Sequence, residues 1–282
     1  NAIAGSGSAT VHNQADTIPV TLTFTESVTL SNAGDAQVQV DIGGTTVTAT
    51  HTGATSGTTL TFNATVPAAV NDADGVDVIA NSLSLLNGAT LTDAAGNNAT
   101  LVNVLKNLVN DTVDTTAPTV TTIAGSGSAT IHNAGDNIDV TMTFSEAVTL
   151  SNATDAQIQL NIGGSTVNAA HFGAASGTSL TFRAAVTAGL NDANGVDVIA
   201  NSLSLLNGAN LRDAAGNDAT LTHAIQNLAN DNVDTTVPTV TTIAGSGSAT
   251  IHTTGDNIDI TVTFSEAVTL SKATDAQIQI NI

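Results

Sequence analysis

The chain contains no cysteine, tryptophan or tyrosine, and only four of its 282 residues are lysine or arginine. Without cysteine, neither disulfide bonds nor thiolate metal sites can stabilise the fold. The 24 acidic residues leave a net charge of −20, so the chain lacks the basic surface that a nucleic-acid backbone requires. No apolar run approaches the roughly 18 residues that span a bilayer. We therefore expect neither nucleic acid as a partner nor membrane insertion by this segment.

The acidic residues are mostly aspartate, since only Glu26, Glu146 and Glu266 are glutamate. Glutamate favours helices, whereas aspartate favours turns, caps and metal-binding loops. Threonine, valine and isoleucine are abundant, and they suit the half-buried surface of a pleated sheet. With 41% apolar residues, the chain is too hydrophobic for a disordered acidic tail. The composition predicts an all-β protein with acidic loops.

The sequence repeats itself with a period of 120 residues. The stretch at 3–10 returns at 123–130 and at 243–250, and the residues between follow in step. A unit of this length has the size of an independent domain, which favours beads on a string over a solenoid. We predict domains at 1–114 and 115–234 and a partial domain at 235–282. We expect a window from a longer array, in which neighbouring repeats contact one another.

Several stretches of the second repeat alternate apolar and polar residues, which is the period of a strand with one buried face. The clearest are 137–144, 156–162, 165–170 and 179–186. Gly163 and Gly164 lie between two of them, and such a pair is a strong signal for a two-residue hairpin turn. We expect about seven or eight short strands per repeat, forming an antiparallel β-sandwich of immunoglobulin type, with a barrel as the main alternative.

One stretch before each linker departs from this alternation. Apolar residues recur there at helical spacing in both copies, at Leu101, Val104, Leu105 and Leu108 and at Leu221, Ala224, Ile225 and Leu228. Such a stripe is typical of a short helix of about two turns. Two interpretations stay open, a short helix before each linker and an irregular last strand.

The acidic loops gather at the ends of the predicted domains. In the expected topology the second strand runs back toward the incoming linker, which places Glu146 beside the linker residue Asp114. The loop before the last strand lies at the same end by the same parity and adds Asp213 and Asn217. The far end of the preceding repeat would face them with Asp16, Asp72, Asp74 and Asp77.

So many carboxylates in one junction would repel one another unless a cation neutralises them. Carboxylate, amide and backbone oxygens in a shell of about six to eight ligands are what Ca²⁺ selects, whereas Mg²⁺ prefers a small octahedral shell that keeps its waters. We therefore predict Ca²⁺ between repeats. Candidate ligands recur in the other copies at Glu26, Asp93, Asn97, Asp136, Asp192, Asp197, Asp234 and Glu266.

Three motifs carry a family resemblance. They are Met-Thr-Phe-Ser-Glu-Ala-Val at 142–148, Asp-Ala-Ala-Gly-Asn at 93–97 and 213–217, and Asp-Thr-Thr-Ala-Pro-Thr-Val at 114–120. Together they resemble the bacterial Ig-like repeats of giant calcium-dependent adhesins secreted by type I (RTX) systems. The resemblance implies an extracellular array of β-sandwiches on the bacterial surface, with Ca²⁺ at the junctions, that holds a terminal binding module away from the cell. It also implies that the linker Asp, the Glu of the first motif and the Asp and Asn of the second are ligands.

The candidate ligands also have simpler interpretations. An Asp before a proline loop can be only turn-forming, a Glu can be the solvated end of a strand, and Asp213 with Asn217 can be an ordinary Asx turn. Glutamate, however, occurs only at one phase of the repeat. The loop that begins at Asp72 resembles an EF-hand opening but lacks the later bidentate Glu, so that motif fails.

No catalytic constellation is evident. His12, His132 and His252 share one phase of the repeat, so we expect them in turns or on strand surfaces, and the serines at 6 and 8 lack a nucleophile elbow. We expect a non-enzymatic extender. The alternative is a self-associating protein of a filament, sheath or surface layer. Direct binding of glycan or ice is a weaker hypothesis, because the aromatic platforms that sugars usually require are absent.

Overall fold

The structure is a computed structural model that describes residues 2–245 and 251–281. Every regular element in these two ranges is a β-strand, and neither range contains a helix. Consequently, no helix in the described residues is long and apolar enough to cross a membrane. The all-β class predicted from the composition is confirmed.

The first repeat combines a few long strands with many short ones. Its strands are β1 (Ala2–Ala4), β2 (Thr10–His12), β3 (Thr17–Leu30), β4 (Ala36–Ile42), β5 (Thr45–Thr52), β6 (Ser56–Thr65), β7 (Val76–Val78), β8 (Ser84–Leu85), β9 (Leu91–Thr92), β10 (Lys106–Leu108) and β11 (Asp111–Val113).

The second repeat follows the same order. Its strands are β12 (Val120–Ala124), β13 (Thr130–His132), β14 (Asn137–Leu150), β15 (Ala156–Ile162), β16 (Ser165–Phe172), β17 (Ser176–Ala185), β18 (Asn191–Asp192), β19 (Val196–Val198), β20 (Ser204–Leu205), β21 (Leu211–Arg212), β22 (Gln226–Leu228) and β23 (Asp231–Asp234). Beyond them, β24 (Val240–Ala244) pairs antiparallel with β25 (Thr261–Phe264).

Each complete repeat is built on one nine-stranded sheet. In the first repeat the hydrogen-bonded order is β1-β3-β6-β5-β4-β7-β10, with β8 beside β4 and β9 beside β3. The second repeat has the equivalent order β12-β14-β17-β16-β15-β19-β22. The long strands pair antiparallel, as in β3 with β6 and β14 with β17. The sheet therefore curls around one interior, as the strand pattern predicts for a sandwich or a barrel.

The hairpin predicted at Gly163 and Gly164 connects β15 to β16. Both glycines have positive φ, at 55° and 91°, which is the backbone of the turn that matches strand twist. A Cβ on Gly163 would also lie 1.9 Å from the carbonyl oxygen of Asn191. Only glycine satisfies both conditions, so the hairpin prediction is confirmed.

Strand alternation places every second residue of the long strands in the interior. In β14 the side chains of Ile138, Val140 and Met142 are fully inaccessible to solvent, and so is Phe182 of β17, which pairs with Val140. Burying one such side chain contributes about 1.5–3 kcal/mol. The buried apolar residues form one cluster in the first repeat and another in the second. Each complete repeat therefore has a hydrophobic core of its own.

The described part of the chain has no short helix before the linker, so that interpretation of the spacing of Leu101, Val104, Leu105 and Leu108 is wrong. Residues 101–105 have no regular structure, and Leu108 ends β10, which pairs antiparallel with β7. Val104 and Leu105 are 60% and 63% exposed, so the apolar stripe has no partner face to stabilise a helix. Leu221, Ala224, Ile225 and Leu228 follow the same course before and within β22.

A polar side chain fixes this irregular segment instead. Asn103 is 2% exposed. Its Oδ1 accepts a hydrogen bond from the backbone of Leu83 at 3.1 Å, and its Nδ2 donates to the carbonyl of Ile79 at 2.7 Å. Tertiary hydrogen bonding to Asn103 thus overrides the helical spacing of its apolar neighbours.

Candidate metal centre

Three carboxylates converge where the linker enters the second repeat. Asp114 follows β11, Glu146 lies within β14, and Asp213 follows β21. One oxygen of each lies within 4.8 Å of the other two. Within residues 2–245 and 251–281, this is the one group of three or more metal-ligating side chains that lie this close together.

A break in strand pairing turns Glu146 toward this site. Along β14 and β17, Thr143 pairs with Ser179, whereas the next pair joins Val148 to Gly177. The extra residues of β14 leave the ladder as a bulge, and bulges commonly re-aim a side chain beside a functional site. Glu26 lies in the same irregularity of β3, between Thr23 and Val28.

A closed five-residue loop holds Asp213. Its Oδ1 accepts a hydrogen bond from the backbone of Asn217 at 2.8 Å, and its Oδ2 accepts one from Asn217 Nδ2, also at 2.8 Å. Gly216 has a φ of 94° and makes the turn. The side-chain nitrogen of Asn217 faces the carboxylate of Asp213. Asn217 therefore orients Asp213 and does not place its own side-chain oxygen beside that carboxylate.

The linker residue Asp114 is hydrogen bonded to both repeats. Its backbone nitrogen donates to the carbonyl of His12 in the first repeat at 2.9 Å. Its backbone oxygen accepts from Asn217 Nδ2 in the second repeat at 2.9 Å. Its Oδ1 accepts from the backbone of Thr116 at 2.9 Å, which leaves the other carboxylate oxygen available.

Further hydrogen bonds fix the rest of the linker. Asn71 of the first repeat accepts from the backbone of Thr115 at 2.7 Å and donates to the hydroxyl of Thr116 at 2.6 Å. On the other side, Thr119 exchanges hydrogen bonds with Ser145, at 3.0 Å through its backbone nitrogen and 2.8 Å through its carbonyl. Both repeats therefore hold the linker in place through hydrogen bonds.

The charges of Asp114 and Asp213 disfavour ionisation of Glu146. Desolvation, followed by the charges of Asp114 and Asp213, raises the pKa of Glu146 above 4.5. The equivalent loop of the first repeat contrasts with this, since hydrogen bonds from Asn97 lower the pKa of Asp93 below 3.8. Arg212 ends β21, directly before Asp213, but it pairs with Asp218 at 2.6 Å. A cation between these carboxylates would relieve this repulsion.

The geometry fits Ca²⁺. Ca²⁺ binds oxygen at about 2.3–2.6 Å, so two oxygens on opposite sides of one ion lie at most about 5 Å apart. The separations within 4.8 Å satisfy this limit. A cavity of about 570 Å³ lies between the repeats next to this site, and it gives water room to complete the shell. The residues that line it include Val11, Asn71, Asp114, Ser145 and Glu146.

Acids predicted at the far end of each repeat accept hydrogen bonds from backbone groups of their own repeat. Asp16 and Asp136 accept hydrogen bonds from the backbones of Asn13 and Asn133, each at 2.9 Å. Asp72 is 6% exposed and accepts from the backbones of Gly43 at 2.8 Å and Gly75 at 3.0 Å.

The remaining far-end acids are also outside the group of three. Burial raises the pKa of Asp72, and Asp74 beside it adds to the effect. Asp192 accepts from the backbone of Gly163 at 2.7 Å. Asp77 lies in β7, and Asp197 accepts from Asn227 Nδ2 at 2.8 Å. The far end supplies hydrogen bonds to the linker rather than carboxylates.

Among the described residues, the equivalent positions in the other copies do not form a second group of three. In the first repeat, Glu26, Asp93 and Asn97 line a cavity of about 340 Å³, and the position equivalent to Asp114 precedes residue 1. In the third copy, Asp234 is exposed, and Glu266 has a buried Oε1 with no hydrogen-bond partner. Each of these positions holds part of the same arrangement.

The sequence interpretation missed a buried histidine–aspartate pair in each complete repeat. His12 and His132 were expected in turns or on strand surfaces, but they are 5% and 6% exposed. His12 Nε2 lies 3.1 Å from Asp111 Oδ1, and His132 lies at the same distance from Asp231. The available signal was the constant spacing of this His and Asp in both copies.

Comparison with known proteins identifies no family for this chain. No family model matches the chain, and no curated protein matches it. The likeness to calcium-dependent adhesin repeats therefore rests on the three motifs and on the site described above.

Proposed function

We propose that the chain is a non-enzymatic extracellular extender of a bacterial surface adhesin, stiffened by Ca²⁺ at the junctions between its repeats. The observation that carries this proposal is the convergence of Asp114, Glu146 and Asp213 within 4.8 Å where one repeat joins the next. Ca²⁺ joins the linker to the β14 bulge and to the loop after β21 of the following repeat, and it removes the mutual repulsion of the three carboxylates.

Two features of the junction support a rod rather than a flexible string. The linker is hydrogen bonded on one side to Asn71 and His12 and on the other to Ser145 and Asn217. Each complete repeat also has its own core. Fixing the linker then fixes the angle between two stable bodies.

Calcium binding also adds stability. An ion that binds only the folded state contributes about 2.7 kcal/mol when its free concentration is 100 times the Kd, and extracellular modules often bind Ca²⁺ with a Kd of about 10⁻⁴ to 10⁻³ M. A domain of about 120 residues is only marginally stable, so this contribution matters.

Small-angle X-ray scattering tests the proposal. In millimolar Ca²⁺ the chain is expected to give a narrow, elongated distance distribution, and in chelator a broader one with a shorter mean extension. The double variant Glu146→Gln and Asp213→Asn should give the chelator profile in both conditions. The matched control is Glu26→Gln with Asp93→Asn, which should behave like the unchanged chain. Identical profiles with and without Ca²⁺ would refute the stiffening.

One observation favours the alternative of a self-associating filament, sheath or surface-layer protein. Val102, Val104, Leu105 and Val109 are 60–68% exposed on one segment of the first repeat. Exposed apolar groups that lie together mark contact surfaces. Analytical ultracentrifugation separates the two functions, because an extender stays monomeric in Ca²⁺ whereas a lattice protein assembles with rising concentration.

A further inference from the structure

The strand that leads into the linker is held by a parallel partner from the start of the same repeat. β11 runs directly into Asp114, and β2 pairs with it in parallel, with Thr10 opposite Asp111 and His12 opposite Val113. The second repeat repeats this arrangement, with β13 parallel to β23. The long strand pairs of both main sheets are antiparallel.

This pairing has a particular geometry under tension. A pull on the chain draws β2 toward the start of the sequence and β11 toward the next repeat. Because the two strands are parallel, these pulls oppose each other along the strand axis and load the evenly spaced ladder bonds together. Bonds flank the ladder at both ends, from Thr10 nitrogen to Asn110 oxygen at 2.7 Å and from Asp114 nitrogen to His12 oxygen at 2.9 Å.

A buried side-chain pair resists sliding of the two strands. Asp111 is 1% exposed, and His12 Nε2 lies 3.1 Å from its Oδ1. A carboxylate only accepts hydrogen bonds, so the imidazole donates. The other oxygen, Oδ2, accepts from the backbone of Ser6 at 3.1 Å. A shift along the strand would break these bonds and leave a buried carboxylate without partners, which is strongly unfavourable.

The second repeat has the same lock with the same dimensions. His132 lies 3.1 Å from Asp231, which is 1% exposed, and Ser126 donates to Asp231 at 3.1 Å. We propose that β2 with β11, and β13 with β23, are shear clamps that carry tensile load through each repeat, and that the buried His–Asp pairs lock them. This inference rests on the proposed function of an extender, which must transmit force along its length.

Single-molecule force spectroscopy at constant force tests the clamp. The chain has no cysteine, so Ala2→Cys and Gly245→Cys define the two pulling points. The test variant is His12→Ala. The matched comparison is Leu60→Ala, which opens a cavity in the core of the same repeat, where Leu60 is fully buried, without touching the clamp.

We expect His12→Ala to raise the unfolding rate of the first repeat under force by at least ~10-fold. This increase should exceed that of Leu60→Ala, even though His12→Ala loses no more thermal stability than Leu60→Ala. His132→Ala should move the weak event to the second repeat. If His12→Ala prevents folding of the first repeat, Asp111→Asn replaces it, since an amide keeps the shape and removes the charge. Unfolding rates that merely follow thermal stability in both variants would overturn the clamp.

Comparing Ca²⁺ with chelator separates this inference from the proposed function. The difference between His12→Ala and Leu60→Ala should persist in chelator, because the His–Asp pair does not include the three junction carboxylates. If Ca²⁺ fails to stiffen the chain in solution while this difference remains, the calcium proposal fails and the clamp stands. If calorimetry shows Ca²⁺ binding while the difference is absent, the clamp fails and the calcium proposal stands.

Discussion

Gly5 and Asp111 are in such close contact that a Cβ built on Gly5 would lie 1.9 Å from Asp111 Oδ2. The backbone nitrogen of Ser6, the residue after Gly5, donates a hydrogen bond to the same oxygen, although Asp111 lies 105 positions further along the chain. The glycine therefore allows the buried carboxylate to reach the backbone of the first loop. Gly125 and Asp231 repeat the contact at 2.0 Å.

Replacing Gly5 with alanine is expected to destabilise the first repeat. The methyl group must displace a buried carboxylate, and overpacking of this kind costs about 1–3 kcal/mol before any loss of the His12 bond is added. Gly245 occupies the same phase of the repeat, but no described residue beyond its chain neighbours places an atom within 4 Å of its Cβ position, so Gly245→Ala is the matched control. Thermal unfolding checks both, and an equally small effect of the two substitutions would contradict the contact.

Replacing Glu146 with glutamine is expected to have opposite effects with and without Ca²⁺. The folded state raises the pKa of Glu146, so its charge destabilises the fold at neutral pH and this penalty disappears as pH falls toward 4.5. In chelator at neutral pH, Glu146→Gln should therefore raise the melting temperature of the second repeat. In saturating Ca²⁺ it should lower that temperature, because one ligand is lost.

The pH profile gives the control for this prediction. In chelator, the stability difference between Glu146→Gln and the unchanged chain should shrink as pH is lowered from neutral. Glu26→Gln tests the equivalent position outside the group of three acids and should show no reversal of sign between chelator and Ca²⁺. A Glu146→Gln variant that is less stable than the parent in chelator would refute the repulsion.

Replacing Asp213 with asparagine is expected to remove most of the Ca²⁺-dependent gain in stability. Asp213 supplies one of the three converging carboxylates, and the gain at 100 times Kd is about 2.7 kcal/mol per site. Asp93→Asn changes the same motif in the first repeat, outside the group of three carboxylates, and should leave the gain at the Asp114 junction intact. Differential scanning calorimetry with added Ca²⁺ measures both, and equal gains in the two variants would contradict the ligand assignment.

Replacing His223 with alanine is expected to loosen the segment before β22. Its Nε2 accepts from the backbones of Ser202 at 3.1 Å and Leu203 at 3.3 Å, and its Nδ1 donates to the carbonyl of Ala224 at 2.9 Å. Loss of the acceptor costs about 1–3 kcal/mol. His223→Asn should lose less, because Asn103 accepts from Leu83 at the equivalent position of the first repeat. Hydrogen exchange at the Leu203 amide measures the effect, and we expect less protection in His223→Ala than in His223→Asn. Equal protection in the two variants would refute the prediction.

Much of the fold could be predicted from the sequence, because its signals are local. Alternation along 137–144 marked part of β14, and the glycine pair at 163 and 164 marked the β15–β16 hairpin. Strand parity also placed Asp114, Glu146 and Asp213 at one end, where the structure brings them together.

The rest depends on contacts that no local pattern contains. Leu101, Val104 and Leu105 have helical spacing, but Asn103 is the residue that is buried and bonded there. Asp72 was expected at the junction, yet nearby backbone groups of its own repeat satisfy it. The pairing of His12 with Asp111 spans 99 positions, and the constant spacing of the two residues in both repeats does not by itself show that they meet.

The most direct measurement is anomalous X-ray scattering from crystals of this chain grown with Ca²⁺ and then soaked in chelator. With Ca²⁺, the expected result is an anomalous peak with oxygen contacts at about 2.3–2.6 Å from Asp114, Glu146 and Asp213, which disappears after soaking. Density that shows these three carboxylates turned separately into solvent, with no ion between them at millimolar Ca²⁺, would contradict the proposed calcium-stiffened junction.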